Sequence, residues 1–154
     1  MKIRLLIDQQ GKITTQSTPL LLPASQQPLR AQLALDPVSS DNIWLFHKTT
    51  HREVYEDARA ARPEADEVIL WNEAGELTEG TISNIVLDLD DRLVTPPITC
   101  GLLNGTFRQH LLQEGQIHEQ RLLVEDLQRC RKVYLINSVR LWQEAEIIET
   151  QPIK

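Results

Sequence analysis

Residues 71–108 read WNEAGELTEGTISNIVLDLDDRLVTPPITCGLLNGTFR, and this stretch decides the fold. Its apolar runs are short and are separated by turn residues, a pattern typical of β-strands. A hairpin is predicted over residues 68–78, with its turn at Ala74-Gly75. A second hairpin is predicted over residues 85–95, with its turn at Asp90-Asp91 and a proline pair ending it. The stretch therefore predicts antiparallel strands.

The chain after this stretch contains short helices and one apolar strand. The spacing of apolar residues predicts a helix from Thr106 to Glu114, and Gly115 is a suitable stop. A short helix is expected around Val124 to Arg129, and the run Val133 to Ile136 predicts a buried strand. The acidic residues 144–149 are interpreted as a solvated turn or face.

The chain before this stretch begins with a strand over Lys2 to Ile7. Four prolines then interrupt any regular pattern across residues 14–40. That part is predicted to be an extended connector, with one strand around Leu29 to Leu35. Residues 1–40 are accordingly separated from a single α+β domain over residues 41–154, made mainly of antiparallel strands with a few helices.

A lysine lies at the junction of two predicted elements near the start of this domain. Ile43 to Phe46 is an apolar, strand-like run, and Thr50 with Glu53 has the spacing of a capping box, which predicts a helix through about Ala61. Lys48 lies between them, so its stem is expected to be covered.

Composition narrows the class of ligand. The 154 residues are 41% apolar, which is enough for a core, and the formal net charge is −6. Nucleic acid and anionic membranes are poor partners for such a chain, whereas a small-molecule substrate suits it. Cys100 and Cys130 lack metal-site or redox-motif spacing and are predicted to be reduced thiols. Without an 18-residue apolar run or a signal peptide, the expected location is the cytoplasm.

The residues that can carry chemistry are a lysine and a glutamate. An amine attacks carbonyl groups when it is deprotonated, and burial or nearby positive charge favours that form. Taken alone, Lys48 is an ordinary solvated side chain. Glu79 lies beside Gly80, where a planar ring can approach the backbone, and a carboxylate can keep a pyridine nitrogen protonated. Its simpler interpretation is an exposed residue in a turn or bulge.

Two backbone segments are candidate phosphate sites. Gly105 precedes Thr106 and Phe107 at a predicted helix start, where free N–H groups and the helix dipole attract anions. Asn137-Ser138 ends a buried strand and can add further donors. The i, i+4 pair His47 and His51 lacks a third ligand, so no metal site is predicted.

These motifs together resemble the carboxyl-terminal domain of the class IV pyridoxal-phosphate enzymes. WNEAGELTEGTISNIV, LVTPPITCGLLNGTFRQHLL and VYLINSV occur in the order of that family, over about residues 41–148. The family includes branched-chain and D-amino-acid aminotransferases and 4-amino-4-deoxychorismate lyase. The element KTTxRxxY, which starts at Lys48, is most similar to the lyase form fused behind the synthase in bacterial para-aminobenzoate synthases. The resemblance implies the large domain of the D-amino-acid aminotransferase-like fold, fold-type IV.

The resemblance also implies roles for individual residues. Lys48 would bond to pyridoxal 5'-phosphate and later move protons, and Glu79 would pair with the pyridine nitrogen. Backbone N–H groups of Thr106 and Phe107, with Ser138, would bind the phosphate. Two further residues match positions near the cofactor, without definite contacts: Asn84 and Arg52. The implied reaction converts 4-amino-4-deoxychorismate to 4-aminobenzoate and pyruvate for folate synthesis.

The family pattern also includes a smaller amino-terminal domain, of which this sequence is expected to contain only a strand that resembles its last one, residues 2–7, and the connector. An amino-terminal domain or synthase partner is expected to supply the rest of the cleft, and a homodimer is expected. An amino-acid aminotransferase with the same lysine and glutamate is the alternative reaction. A non-catalytic association module that keeps the fold is the alternative of another class.

Overall fold

The strands of this protein form one large curled sheet and one separate hairpin. The computed structural model describes residues 1–20 and 27–149. The described strands, in chain order, are β1 (Lys2–Ile7), β2 (Ile13–Thr18), β3 (Leu29–Leu33), β4 (Glu67–Trp71), β5 (Leu77–Gly80), β6 (Asn84–Leu89), β7 (Arg92–Thr95), β8 (His118–Glu119), β9 (Lys132–Asn137) and β10 (Leu141–Glu149). The described α-helices are α1 (Glu53–Ala60), α2 (Thr106–Gln113) and α3 (Asp126–Arg129).

Eight of the described strands form the main sheet, in the order β5-β4-β3-β10-β9-β6-β7-β8. Strand β5 also pairs with β6, where Glu79 lies opposite Asn84, so the sheet curls back on itself. Most neighbours are antiparallel, whereas β3 runs parallel to both β4 and β10. The α+β class with mainly antiparallel strands is thus confirmed. The curl brings two strands that are consecutive in the sequence together at Glu79.

Side chains alternate between two apolar clusters along the inner strands. In β6, Ile85 and Leu87 belong to the larger cluster, which contains most of the core, while Val86 belongs to a second cluster beneath α2. Leu111 of α2 is buried in this second cluster. Because successive strand residues point to opposite faces, a strand covered on both faces reads as a continuous apolar run. The continuous apolar run at residues 85–87 therefore indicates a strand that is covered on both faces.

The connector is only partly an irregular segment. The predicted strand near residue 29 is confirmed as β3, and it lies between β4 and β10 with Ala31 and Leu33 buried. Residues 13–18 form β2, which pairs with β1 in a hairpin outside the main sheet and was not predicted. The part of the connector at 21–26 lies outside the described residues, as do the last residues of the predicted domain, 150–154.

Two local predictions were wrong. Ile43–Phe46 is a short 3₁₀ helix and not a strand, because the side chain of Asn42 accepts a hydrogen bond from the Trp44 N–H and closes a turn. Helix α1 begins at Glu53 without a side-chain cap, since the Thr49 hydroxyl accepts from the His51 N–H and Thr50 makes no capping box. The acidic residues 144–149 belong to β10, and the expected solvated face is confirmed for Glu144 and Glu146, which are exposed and alternate with the buried Ala145.

Within the described ranges 1–20 and 27–149, no helix is long and apolar enough to cross a membrane. Both cysteines are free thiols, and Cys100 is fully buried.

Candidate active site

Glu79 is a buried carboxylate at the centre of the site. It lies in β5 and is only 4% exposed. Its Oε1 atom accepts two hydrogen bonds, from the Tyr55 hydroxyl at 2.7 Å and from the Leu103 N–H at 3.1 Å. Burial raises the pKa of Glu79 from 4.5 to about 8, although both hydrogen bonds and the positive charges of Arg52 and Lys48 act to lower it. The carboxyl group therefore titrates close to neutral pH.

The second carboxylate oxygen of Glu79 has a much weaker protein contact. Asn84, directly opposite in β6, places Nδ2 at 3.5 Å from Oε2, which is at the limit of a hydrogen bond. The same Nδ2 donates to the Leu103 carbonyl at 2.8 Å. Oε2 therefore retains acceptor capacity that a ligand with a hydrogen-bond donor can use.

Lys48 is on the side of the site that faces solvent. It is exposed, so the prediction that its stem is covered was wrong, and it lies in the loop between the 3₁₀ helix and α1 rather than at a strand end. The positive charge of its amine is one of the factors that lower the pKa of Glu79. The rings of Trp44, in the 3₁₀ helix, and His51, in this loop, stack with their centroids 4.1 Å apart. The exposed amine of Lys48 is thus close enough to the buried carboxyl group of Glu79 for its charge to affect the pKa of that group.

Arg52 lies one helical turn before Tyr55 and braces it. Its Nη2 atom donates to the Thr81 carbonyl at 2.5 Å, and its Cζ atom lies 4.5 Å from the centre of the Tyr55 ring. This arrangement adds a cation–π contact behind the phenol that holds Glu79. Arg52 therefore affects Glu79 in two ways: it packs on Tyr55, which bonds to Glu79, and its positive charge lowers the pKa of Glu79.

The start of α2 is tied to Glu79 by a short loop. Thr106 and Phe107 open the helix after Gly105, and the first N–H groups of a helix have no partner within it. Leu103, three residues earlier, donates its N–H to Glu79 and accepts from Asn84 through its carbonyl. The candidate phosphate donors and the candidate acid are consequently ends of one hydrogen-bonded unit.

Ser138 is exposed in the turn between β9 and β10. Asn137 orders this turn, because its Oδ1 atom accepts from the N–H groups of Val139 and Arg140 at 3.0 and 2.9 Å. Trp142, which follows the turn, packs edge-on against the Phe107 ring at 6.3 Å between centroids. The start of α2 and the turn that carries Ser138 therefore lie at the same end of the β9–β10 hairpin.

Sequence reasoning missed Tyr55 as the partner of Glu79. Tyr55 is 6% exposed and belongs to a helix that was predicted, but its direction depends on how α1 packs against the sheet. The available signal was its place in the KTTxRxxY element, where the i, i+3 spacing puts Tyr55 beside Arg52 on a helix.

Glu67 was also missed. It begins the apolar strand β4 and is 2% exposed, and it accepts hydrogen bonds from the Thr81 N–H at 2.9 Å, from the Thr81 hydroxyl and from the Ser83 hydroxyl at 3.0 Å. These bonds fix the 81–83 loop, which carries the carbonyl that receives Arg52. A glutamate opening an apolar strand is a weak signal, because most such residues are solvated.

Arg108, in α2, completes the support of the loop before that helix. It is 1% exposed and donates to the Pro96 carbonyl at 2.8 Å, the Asn104 side chain at 3.0 Å and the Glu119 carboxylate at 2.5 Å. A buried guanidinium with several acceptors fixes the segments that it bridges. Arg108 thereby anchors both ends of the segment 96–104.

Comparisons with known proteins show the family of this chain. A model of the amino-transferase class IV family matches residues 2–148. A Schizosaccharomyces pombe protein provisionally named an aminodeoxychorismate lyase is 33% identical over an alignment of 147 residues, which covers 90% of this chain and 63% of that protein. This chain thus spans less than two thirds of that relative.

Solved structures give the same fold. A Mesorhizobium loti protein provisionally named an amino-acid aminotransferase is 36% identical, with a TM-score of 0.90 over 95% of this chain and 72% of that chain. A hypothetical aminotransferase from Mycobacterium tuberculosis, solved in a form with bound pyridoxal phosphate, is 23% identical, with a TM-score of 0.76 over 98% of this chain and 63% of that one. The fold-type IV expectation is confirmed. From its family match, its relatives and its fold, the chain belongs to the class IV aminotransferase family, whose cofactor is pyridoxal 5'-phosphate.

Proposed function

We propose that this chain forms the pyridoxal-phosphate-binding part of an aminodeoxychorismate lyase, which converts 4-amino-4-deoxychorismate to 4-aminobenzoate and pyruvate for folate synthesis. The observation that carries the proposal is the combination of the exposed Lys48 amine with the buried Glu79 carboxylate, whose pKa that amine helps to lower. The name of the yeast relative supports the lyase reaction over others in the family.

The donor set of the site fits this cofactor. Pyridoxal phosphate has three groups that a protein can bind. Its aldehyde bonds to an amine, its ring nitrogen pairs with a carboxylate, and its phosphate accepts hydrogen bonds from free N–H groups. Lys48 would bond to the aldehyde carbon, Oε2 of Glu79 would face the ring nitrogen, and the N–H groups of Thr106 and Phe107 would bind the phosphate, with Ser138 adding to them. Support for this assignment comes from the weakly engaged Oε2 atom and from the hydrogen-bonded loop between Glu79 and α2.

Asn84 and Arg52 would act around the cofactor and not as its principal ligands. Asn84 bonds to the Leu103 carbonyl, and Arg52 packs on Tyr55 and bonds to Thr81. Each therefore fixes a segment that carries a proposed ligand. This assigns them supporting roles in binding.

When bound, pyridoxal phosphate supplies a ring that accepts the electrons released as a bond to the amine-bearing carbon breaks. Glu79 would keep the proton on the ring nitrogen, because its Oε1 atom is already engaged and its Oε2 atom, in the ionised carboxylate, would face that nitrogen. Lys48 Nζ removes the proton from C4 of the substrate, and it can return a proton to the departing three-carbon group. The ring product becomes aromatic as pyruvate leaves.

An amino-acid aminotransferase is the second candidate function. The Mesorhizobium loti protein, which covers nearly all of this chain, carries that description and supports it. Lys48 and Glu79 would have the same roles, since both reactions begin by removing a proton from the amine-bearing carbon.

We also propose that another surface, from an amino-terminal domain or synthase partner, covers the site, and that the protein is a homodimer. Support comes from exposed apolar side chains around the turn that carries Ser138: Ile82, Val139 and Leu141 are 51%, 40% and 53% exposed. Apolar side chains grouped in this way favour association. Size-exclusion chromatography with light scattering is expected to show a dimer, and a monomer at all concentrations would contradict that part.

Adding pyridoxal phosphate to the protein tests the proposal. The expected result is a yellow protein that loses its colour on borohydride reduction, with the reduced label on Lys48 by peptide mass analysis. Lys48→Arg keeps the positive charge and should remain unlabelled, while Lys132→Arg is a matched control because Lys132 pairs with Glu144 on the surface. Label on other lysines in place of Lys48 would contradict the assignment. A protein that stays colourless supports the non-catalytic module.

Product analysis then separates the two reactions. The lyase should form equal amounts of 4-aminobenzoate and pyruvate from 4-amino-4-deoxychorismate. An aminotransferase should instead move an amino group from an amino acid to a 2-oxo acid. Glu79→Gln is expected to slow either reaction, because a neutral amide does not hold the proton on the ring nitrogen.

A further inference from the structure

We propose that Tyr55 is a positioning residue, whose hydroxyl engages one oxygen of Glu79 so that the other oxygen is presented to the ring nitrogen of the cofactor. This inference rests on the proposed function and assigns a task to a residue outside the set predicted from the sequence. Tyr55 would act through Glu79 and would not touch the cofactor itself.

The first support is the unequal engagement of the two Glu79 oxygens. Oε1 accepts from the Tyr55 hydroxyl at 2.7 Å and from the Leu103 N–H at 3.1 Å. Among the residues that the structure describes, Oε2 has only the 3.5 Å contact with Asn84, whose Nδ2 atom has a better partner in the Leu103 carbonyl. A carboxylate held by two donors at one oxygen cannot rotate without breaking both bonds. Oε2 is therefore the oxygen with room for a further donor.

The second support is that Tyr55 is itself fixed on its far side. Its ring is 6% exposed and packs beneath the Arg52 guanidinium, which the Thr81 carbonyl anchors at 2.5 Å. A phenol held on its face and donating from its hydroxyl has one orientation. Tyr55 thus connects the Glu79 carboxylate to Arg52, and through Arg52 to the 81–83 loop.

The third support is electrostatic. Three groups face Glu79 with a charge or a titrating proton: Tyr55, Arg52 and Lys48. The hydrogen bond from Tyr55 is the strongest of the factors that oppose the effect of burial on the pKa of Glu79. Loss of the hydroxyl should raise that pKa further and leave less of the ionised carboxylate that a protonated ring nitrogen requires.

Tyr55→Phe is the sharpest variant, because it removes one hydroxyl and keeps the ring beneath Arg52. Tyr134→Phe is its matched control, since Tyr134 is the other tyrosine of the chain and packs against Trp142. Loss of a hydrogen bond to a charged group lowers affinity roughly 10-fold or more, which is the effect expected on the dissociation constant of pyridoxal phosphate. The borohydride label should still map to Lys48.

A readout without cofactor distinguishes positioning from general damage. In the cofactor-free protein, the ¹³C signals of the glutamate carboxyl groups are followed against pH, and Glu79 is identified by the signal lost in Glu79→Gln. The Glu79 midpoint should move to higher pH in Tyr55→Phe and stay unchanged in Tyr134→Phe. Equal midpoints in the wild type and Tyr55→Phe would overturn the inference.

A second variant covers the case in which Tyr55→Phe does not fold. Fluorotyrosine incorporated into the Tyr134→Phe protein changes Tyr55 alone and makes its hydroxyl a stronger donor. The Glu79 midpoint should then move to lower pH, and an unchanged midpoint counts against the inference.

The two proposals fail in different ways. If the wild type binds no pyridoxal phosphate, the proposed function fails and the role of Tyr55 falls with it. If the wild type binds at Lys48 and Tyr55→Phe binds equally well, the positioning role alone is wrong.

Discussion

At the scale of single residues, Glu79 makes stability depend on pH. Burial raises its folded-state pKa from 4.5 to about 8, so the folded protein binds this proton more tightly than the unfolded chain does. Stability from this group is therefore fully present below about pH 4.5, and it is lost as the pH rises through about 8. The charged form is the costly one because β5 and α1 exclude water from it.

Glu79→Gln should flatten this dependence in the cofactor-free protein. The variant is expected to gain relative to the wild type as the pH rises, by a few kcal/mol at about pH 9 and by little at about pH 5. Urea unfolding at several pH values measures the difference. Parallel pH profiles for the two proteins would show that Glu79 keeps an ordinary pKa in the fold.

The residues that the sequence identified were those with a chemical signature. Lys48 and Glu79 stood out because a nucleophile and an acid near a glycine fit one kind of cofactor. Tyr55, Glu67 and Arg108 act through contacts between segments that are distant in the chain, such as Tyr55 with Glu79, and a single sequence contains no record of those contacts.

At the scale of elements, the start of α2 depends on a residue without a side chain. A Cβ atom at Gly105 would lie 2.3 Å from Oδ1 of Asn84. The backbone of Gly105 has an ordinary φ of −60°. Crowding against Asn84, and not backbone strain, therefore makes a larger residue unfavourable there.

Gly105→Ala should displace Asn84 and weaken its bond to Leu103. We expect a loss of about 1–3 kcal/mol in the free energy of unfolding, together with weaker binding of pyridoxal phosphate, measured by urea unfolding and by absorbance titration. Gly75→Ala is the control, because Gly75 has a φ of +74° and no atom within 4 Å of its Cβ position. It should cost about 1–2 kcal/mol and leave cofactor affinity unchanged. Equal effects of both variants on affinity would contradict this account.

Elements with clear turn residues were predictable, and those defined by distant pairing were not. The turn Asp90-Asp91 has φ values of 51° and 60°, the left-handed backbone that such acidic pairs tolerate, and it joins the two strands that were expected there. Residues 43–46 have the apolar composition of a strand but pair with no strand in the part of the chain that the structure describes, and the Asn42 side chain closes a turn there instead. Residues 144–149 were expected to be solvated, and Glu144 and Glu146 are exposed on one face of β10, whereas Ala145 on the other face is buried.

At the scale of the whole molecule, the hairpin of β1 and β2 stands apart from the main sheet. It forms its own two-stranded sheet, and its apolar side chains at Ile3, Leu5, Ile7 and Ile13 are 55–69% exposed. An isolated hairpin has little stability of its own in water. The core strands, by contrast, are paired and covered on both faces.

Hydrogen exchange should separate these two parts. Amides of residues 2–18 are expected to exchange close to the rate of an unfolded peptide, whereas those of β6 and β9 should be protected by the full unfolding free energy. Mass spectrometry of peptic fragments measures both in one sample. Equal protection of the hairpin would mean that something covers it in solution.

The link from Glu79 through Leu103 to the start of α2 has a consequence for which ligands can enter. Because hydrogen bonds through Leu103 join Glu79 of β5 to the loop before α2, the distance between this acid and the proposed phosphate-binding N–H groups is fixed. A ligand that is longer or shorter than this distance can contact either Glu79 or the start of α2, but not both. One residue inserted between 103 and 106 should therefore be far more damaging than the same insertion at the tip beyond Leu89.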